Sequence, residues 1–303
     1  MNKDSHNSDS YTIVVTDSGL GGISVLADLE HLLRHSKNSG KVRLIFFNAL
    51  AHKEFGYNSM PTNDKKSEVF NSALNAMMSM YNPDIILIAC NTLSIVYNQT
   101  DFAKEGRTDV LGIIDLGTEM ILGNTNTNED SILLLGTPTT ILSLTYHKRL
   151  VSSGINEEFI INQACPLLET EIQNDPESET VKRMIKQFSE EAYRNEKRKS
   201  SRIVVGLCCT HYGYSENIFF QNLKSMFNKE VVIVNPNQRM VEAVFKKINN
   251  NSTSVSELSV EIISQVRLKQ NEILSINKCI DKISPATVKA LSNYTFNQSL
   301  FKY

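Results

Sequence analysis

Tryptophan is absent from the 303 residues, and cysteine is scarce: Cys90, Cys165, Cys208, Cys209 and Cys279 are the whole complement. None of the five belongs to a C-x-x-C pair, so a structural zinc site is not expected, and no metal is assigned. Charge of one sign is lacking too. With 31 basic residues against 33 acidic ones there is no electrostatic footprint for nucleic acid. No apolar run reaches membrane-spanning length. The opening stretch, residues 1–10, is polar throughout, which argues against a signal peptide and reads as a disordered leader. The five thiols are accordingly read as reduced, in a cytoplasmic chain. A composition 41% hydrophobic and 21% charged is that of a globular protein with room for two domains.

Two stretches stand out, Ile88-Ala-Cys-Asn-Thr and Leu207-Cys-Cys-Thr-His. Each follows an apolar β-branched run, residues 84–88 and 202–206, so Cys90 and Cys209 fall where buried strands end, the edge at which open α/β sheets carry chemistry. Small polar residues and then a helix follow, and free amides at a helix start favour thiolate over thiol. The strand at residue 13 ends in Asp17-Ser-Gly and the strand at residue 132 in Gly136-Thr-Pro. Cys90 lies 73 positions after Asp17, and Cys209 lies 73 after Gly136. A strand at 110–115 finds its echo at 231–235. The chain therefore reads as a duplicated α/β fold, each half delivering one thiol.

In chain order, the turn Asp17-Ser-Gly-Leu-Gly-Gly feeds an amphipathic helix through Leu26, Leu29, Leu32 and Leu33. Its glycine spacing is not that of the dinucleotide fingerprint, and the turn is placed to present Asp17 and Ser18 to a small ligand. A strand at 44–47 runs into an irregular loop, 51–61, suited to border a site. Helices are expected at 64–80, 139–150 and 177–195, strands at 159–161 and 260–263, and Ala164-Cys-Pro-Leu-Leu reads as a turn. Cys208, Cys165 and Cys279 are read as packing thiols. The glycine-free tail beyond residue 250 shows no motif of function.

Asp17-Ser-Gly-x-Gly-Gly-x-Ser-Val, Ala89-Cys-Asn-Thr, Ala164-Cys-Pro-Leu-Leu and Cys209-Thr-His-Tyr, in that order, resemble the cofactor-independent glutamate racemases of the aspartate/glutamate racemase superfamily, over about residues 12–245. The resemblance implies two pseudo-symmetric α/β domains with largely parallel sheets and an active site in the cleft between them. The expected division is 11–116, completed by 231–303, and 117–230. It implies further that Cys90 deprotonates the D-enantiomer and Cys209 the L-enantiomer, assisted by Asp17 and His211 respectively. Asn91, Thr92, Thr210 and Ser18 would hold the carboxylates and ammonium of a small acidic amino acid. No pyridoxal phosphate or other cofactor is called for, and D-glutamate would go to peptidoglycan. A homodimer is the assembly allowed for.

The substrate loop departs from that pattern. The family's Gly-Asp-Thr-Ala-Arg-x-Pro-Tyr-Gly corresponds to Asn48-Ala-Leu-Ala-His-Lys-Glu-Phe-Gly, so Phe55 lacks a hydroxyl, Gly56 is kept, and Tyr57 brings bulk where a small polar residue is usual. These three residues are assigned to the binding site. The family glutamate after the Cys-Pro-Leu turn falls near Gln173. A related two-cysteine enzyme for another acidic amino acid and a non-catalytic carboxylate binder are the alternative readings.

Overall fold

Apolar runs of four to eight residues become strands, and the segments between them, with apolar residues three and four apart, become helices that cover the sheets. The computed structural model describes residues 10–36, 40–53, 56–127, 129–250 and 257–303. The first half comprises β1 (Ser10–Asp17), α1 (Ile23–Arg34), β2 (Lys41–Asn48), α2 (Asn63–Tyr81), β3 (Ile85–Ile88), α3 (Asn91–Tyr97), α4 (Asp101–Glu105), β4 (Asp109–Gly112) and α5 (Ile113–Gly123). The second comprises β5 (Ser131–Gly136), α6 (Pro138–Leu142), α7 (Thr145–Ser152), β6 (Ile160–Ala164), α8 (Leu168–Asn174), α9 (Glu179–Arg194), β7 (Arg202–Cys208), α10 (Glu216–Phe227) and β8 (Glu230–Val234). Then follow α11 (Pro236–Asn250), β9 (Glu257–Ser264), α12 (Gln270–Ile280), α13 (Pro285–Ser292) and β10 (Thr295–Phe296).

Two parallel sheets result, ordered β10-β9-β2-β1-β3-β4 and β6-β5-β7-β8. The second repeats the order 2-1-3-4 of the first, with β5, β6, β7 and β8 standing for β1, β2, β3 and β4. One connection recurs in detail: Ala49 N–H donates to Asp17 O and Cys165 N–H donates to Gly136 O, both at 2.8 Å. The 73-residue offset is thus a repeat of topology, and it sets Cys90 after β3 and Cys209 after β7.

Alternation along the strands divides the core. Ile13 and Val15 of β1 join Ile132 and Leu134 of β5 in a core shared by both halves, with α1, α5 and α11 packed into it. Val14 faces α2, while Leu133 and Leu135 face α8 to α10. α2 starts where Thr62 Oγ1 accepts from Lys65 N–H (3.2 Å) and stops at Asn82, whose left-handed backbone (φ 41°) precedes Pro83.

Several expectations need correction. Ser10 already belongs to β1, and the rest of the leader lies outside the described residues. The strand expected at 110–115 ends at Gly112, and Ile113 to Asp115 open α5. The single helix expected at 139–150 is two, broken at Leu144 with φ 55°. The strand at 230–234, most of which the expected division gave to the first unit, pairs with β7 in the second sheet, because it is the counterpart of β4. β9 then returns to the first sheet beside β2.

Candidate active site

Parallel strands bring their C-terminal ends to one edge of each sheet, and these edges face one another across a cavity of about 330 Å³. Asp17, Ser18, Gly56, Tyr57, Cys90, Asn91 and Thr92 line it from the first half. Cys209, Thr210 and His211 line it from the second. Every expected site residue is therefore brought together except Phe55, which lies outside the described residues.

Cys90 occupies the residue before α3 and is 6% exposed, its sulfur 3.2 Å from Ser18 Oγ. Burial pushes its thiol up from 9.0 to about 12, and the Asp17 carboxylate adds to this. The Ser18 hydroxyl and the amides of Leu93 and Ser18 pull the other way without prevailing. Cys209, 7% exposed, is pushed well up by burial and then by the Glu169 carboxylate. Beyond it runs a 3-10 turn, Thr210–Ser215, and no α-helix begins until Glu216. The expectation that free amides at a helix start favour the thiolate is thus corrected. Desolvation disfavours the charged form more than a few amides restore it, so both thiols are neutral in the ligand-free protein. Alkylation of Cys90 by iodoacetamide should keep rising with pH, about tenfold per unit from pH 7 to 10, where an exposed thiol of pKa about 8.5 levels off. A plateau near pH 9, followed by peptide mapping, would contradict this.

Hydrogen bonds tie the halves together around the thiols. Thr210 Oγ1–H donates to Asp17 Oδ2 (2.7 Å), and Thr92 Oγ1 lies 3.2 Å from Thr137 Oγ1, itself 3.1 Å from Thr140 Oγ1. Tyr146 O–H donates to Asn91 Oδ1 (2.7 Å), which leaves the Asn91 amide nitrogen buried and without a partner among the described residues. Gln173 Oε1 accepts from Leu20 N–H (2.8 Å), so the same oxygen must accept from His211 Nε2 (3.0 Å). The proton of His211 is therefore on Nε2, leaving the Nδ1 lone pair 3.9 Å from Cys209 Sγ. Burial lowers the imidazole's pKa and keeps it neutral.

Gln173 of α8, aligned with the family glutamate, and Lys53, of the loop expected to border a site, also line the cavity. Other parts of the wall were not foreseen: Glu169 comes from α8. Val266, Arg267, Lys269 and Glu272 come from the tail. The tail carries no motif, but Ser264 of β9 is in register with Asn48 of β2, so the residues after both strands reach the same edge. Cys208, one residue from Cys209, is fully buried in the shared core beside Tyr146. Among the described residues no group of three His, Cys, Asp or Glu side chains is arranged to hold a metal ion. Nor is any helix among them long and apolar enough to cross a membrane.

No protein-family profile matches the sequence. The glutamate racemase of Aquifex pyrophilus is 27% identical over 205 residues, 66% of this chain and 70% of that one. The glutamate racemase of Hydrogenobaculum sp. is 27% identical over 255 residues, 82% of this chain and 87% of its own length. Among solved structures, glutamate racemase from Francisella tularensis in complex with D-glutamate superposes with a TM-score of 0.69 over 90% of this chain and 94% of that one, at 19% identity. Glutamate racemase RacE1 of Bacillus anthracis gives 0.67 over 90% and 95%, at 18% identity. At that coverage the likeness in fold reaches beyond residue 250 into the tail.

Proposed function

We propose that this chain, which belongs to the glutamate racemase family and so to the amino-acid racemases, interconverts L- and D-glutamate with Cys90 and Cys209 as its two bases. The observation that carries the reading is the pair of thiols, set after corresponding strands of two repeated sheets and lining one cavity. Inverting Cα requires a proton to leave one face and another to arrive on the opposite face, which two fixed bases on opposing walls can do without moving.

The reaction begins from neutral thiols. Entry of the substrate ammonium brings positive charge into the cavity and favours ionisation of the thiol that is to act as base. At Cys209 the Nδ1 lone pair of His211 is placed to receive the thiol proton, with Gln173 fixing the tautomer. At Cys90 the corresponding proton acceptor is Asp17, beside Ser18. The thiolate removes the Cα proton, the opposite thiol delivers its own, and the roles reverse for the other enantiomer. Ser18, Asn91, Thr92 and Thr210 hold the polar groups of the substrate, with Gly56 and Tyr57 closing one wall. A cytoplasmic role in supplying D-glutamate for peptidoglycan follows from this activity.

At the mouth stand two cations with no carboxylate partner among the described residues: Lys53, and Arg267 lying 4.2 Å from the Phe296 ring centroid. They suit the side-chain carboxylate of the substrate. Arg267→Ala should raise KM for glutamate about three- to tenfold with little change in kcat, since an exposed cation contributes binding common to ground and transition states. An unchanged KM would place that carboxylate elsewhere. The reading as a whole is tested by circular dichroism, following optical rotation of L-glutamate and a panel of other amino acids without added cofactor. Inversion of another acidic amino acid in preference to glutamate would reassign the substrate, and no inversion of any would refute the activity.

A further inference from the structure

Of the buried polar side-chain atoms without a partner among the described residues, three belong to residues lining the cavity between the two sheets: Asn91 Nδ2, Tyr57 Oη and Glu169 Oε2. An unpaired buried polar atom costs about 1–3 kcal/mol, so three around one cavity mark where a ligand completes the pairing. Their chemistry is complementary to an amino-acid head group. Asn91 Nδ2 donates and Tyr57 Oη can donate, as a carboxylate requires, whereas a carboxylate oxygen at Glu169 accepts, as an ammonium requires.

We propose that Glu169 receives the α-ammonium group of the substrate, with Asn91 Nδ2 and Tyr57 Oη taking its α-carboxylate. The inference rests on the racemase reading for the substrate being an α-amino acid.

Glu169 is well placed for this. It lies four residues before Gln173 on α8, hence on the same face, and Gln173 fixes that face towards the cavity through His211 and Leu20. Buried Leu168 and Ile172 anchor the helix from the other side. Its Oε1 already accepts from Asn58 Nδ2 of the opposite half (3.0 Å), which leaves Oε2 for the ligand. Burial raises the Glu169 carboxyl above its usual range, and an arriving cation relieves that penalty. Because Glu169 is the charged group that most raises the Cys209 thiol, an ammonium on Glu169 also lowers the cost of a Cys209 thiolate.

The test compares L-glutamate with glutarate, the same dicarboxylate without the ammonium, by isothermal titration of the wild type and Glu169→Gln. The substitution keeps an oxygen for Asn58 and removes the charge. Interconversion of enantiomers carries no net heat, so turnover does not disturb the measurement. In Glu169→Gln the affinity for L-glutamate should fall about tenfold or more, while that for glutarate stays within about twofold. Glu169→Asp, which keeps the charge but withdraws it by one methylene, should fall between the two proteins and serves if the glutamine variant does not fold. Equal losses for both ligands, or none for either, would overturn the assignment. Optical rotation in the wild type separates the two proposals. An amino acid bound through Glu169 but not inverted overturns the racemase and keeps the anchor, whereas inversion with unchanged discrimination in Glu169→Gln does the reverse.

Discussion

Cys90→Ala and Cys209→Ala should each lower the racemisation of glutamate by about 10³-fold or more in both directions. Either loss removes an acid in one direction and a base in the other, and general acid–base catalysis contributes about 10²–10⁴-fold per group. Because the halves present one thiol each, the defect separates by face when only a base is needed. With a β-halogenated glutamate, removal of the Cα proton expels halide from Cβ, and no second proton is required. Cys209→Ser should then process the D-form through Cys90, and Cys90→Ser the L-form through Cys209, as halide release would report. The same enantiomer preference in both serine variants would mean that one thiol serves both faces. Full racemisation in either alanine variant would end the two-base reading.

The second large effect is expected at Gly21. A Cβ built there meets Thr210 Oγ1 at 2.4 Å, His211 Nδ1 at 2.6 Å and the His211 backbone nitrogen at 2.8 Å. These are contacts between the first turn of one half and the thiol loop of the other, and the backbone atom cannot swing aside. Gly21→Ala must therefore part the halves or displace Thr210 and His211, which carry the bond to Asp17 and the lone pair facing Cys209. Overpacking of this kind costs about 1–3 kcal/mol, and misplacing the proton acceptor lowers kcat as well. Thermal unfolding and racemisation should both suffer, with kcat down about tenfold or more. Gly123→Ala, where a Cβ meets nothing within 4 Å, is the control and should change stability by less than about 0.5 kcal/mol. Similar behaviour of the two variants would show that the close approach at Gly21 is not maintained.

Much of the site was legible because its residues sit immediately after apolar runs that can only be buried strands. Asp17, Cys90 and Cys209 were located by that rule, and the repeat followed from their spacing. Local rules failed where tertiary context decides. Ile113 and Ile114 are apolar enough for a strand, yet they start a helix because β4 has reached the sheet edge at Gly112. Leu144 breaks a helix without a glycine or proline to announce it. Glu169 and Gln173 could have been paired by their helical spacing, but only the fold shows which face meets the cavity. Arg267 and Lys269 carry no signal in the sequence, since register between β9 and β2 brings them there. The ionisation of the thiols was read in the wrong direction, because a helix start is visible in sequence while enclosure by the opposite half is not.

The order of strands bears on how the chain is made. The second sheet is contiguous, from Ser131 to Val234, and can assemble as soon as that stretch has left the ribosome. The first sheet cannot: β2 pairs with β1 on one side, but its other neighbour, β9, is translated more than 200 residues later. Throughout that interval β2 presents an open edge carrying Leu44, Ile45, Phe46 and Phe47, the kind of edge that recruits strands from other chains. The segment from Glu257 onward is thus both a wall of the cavity and the cover for an apolar strand edge that stays open while the residues between are made.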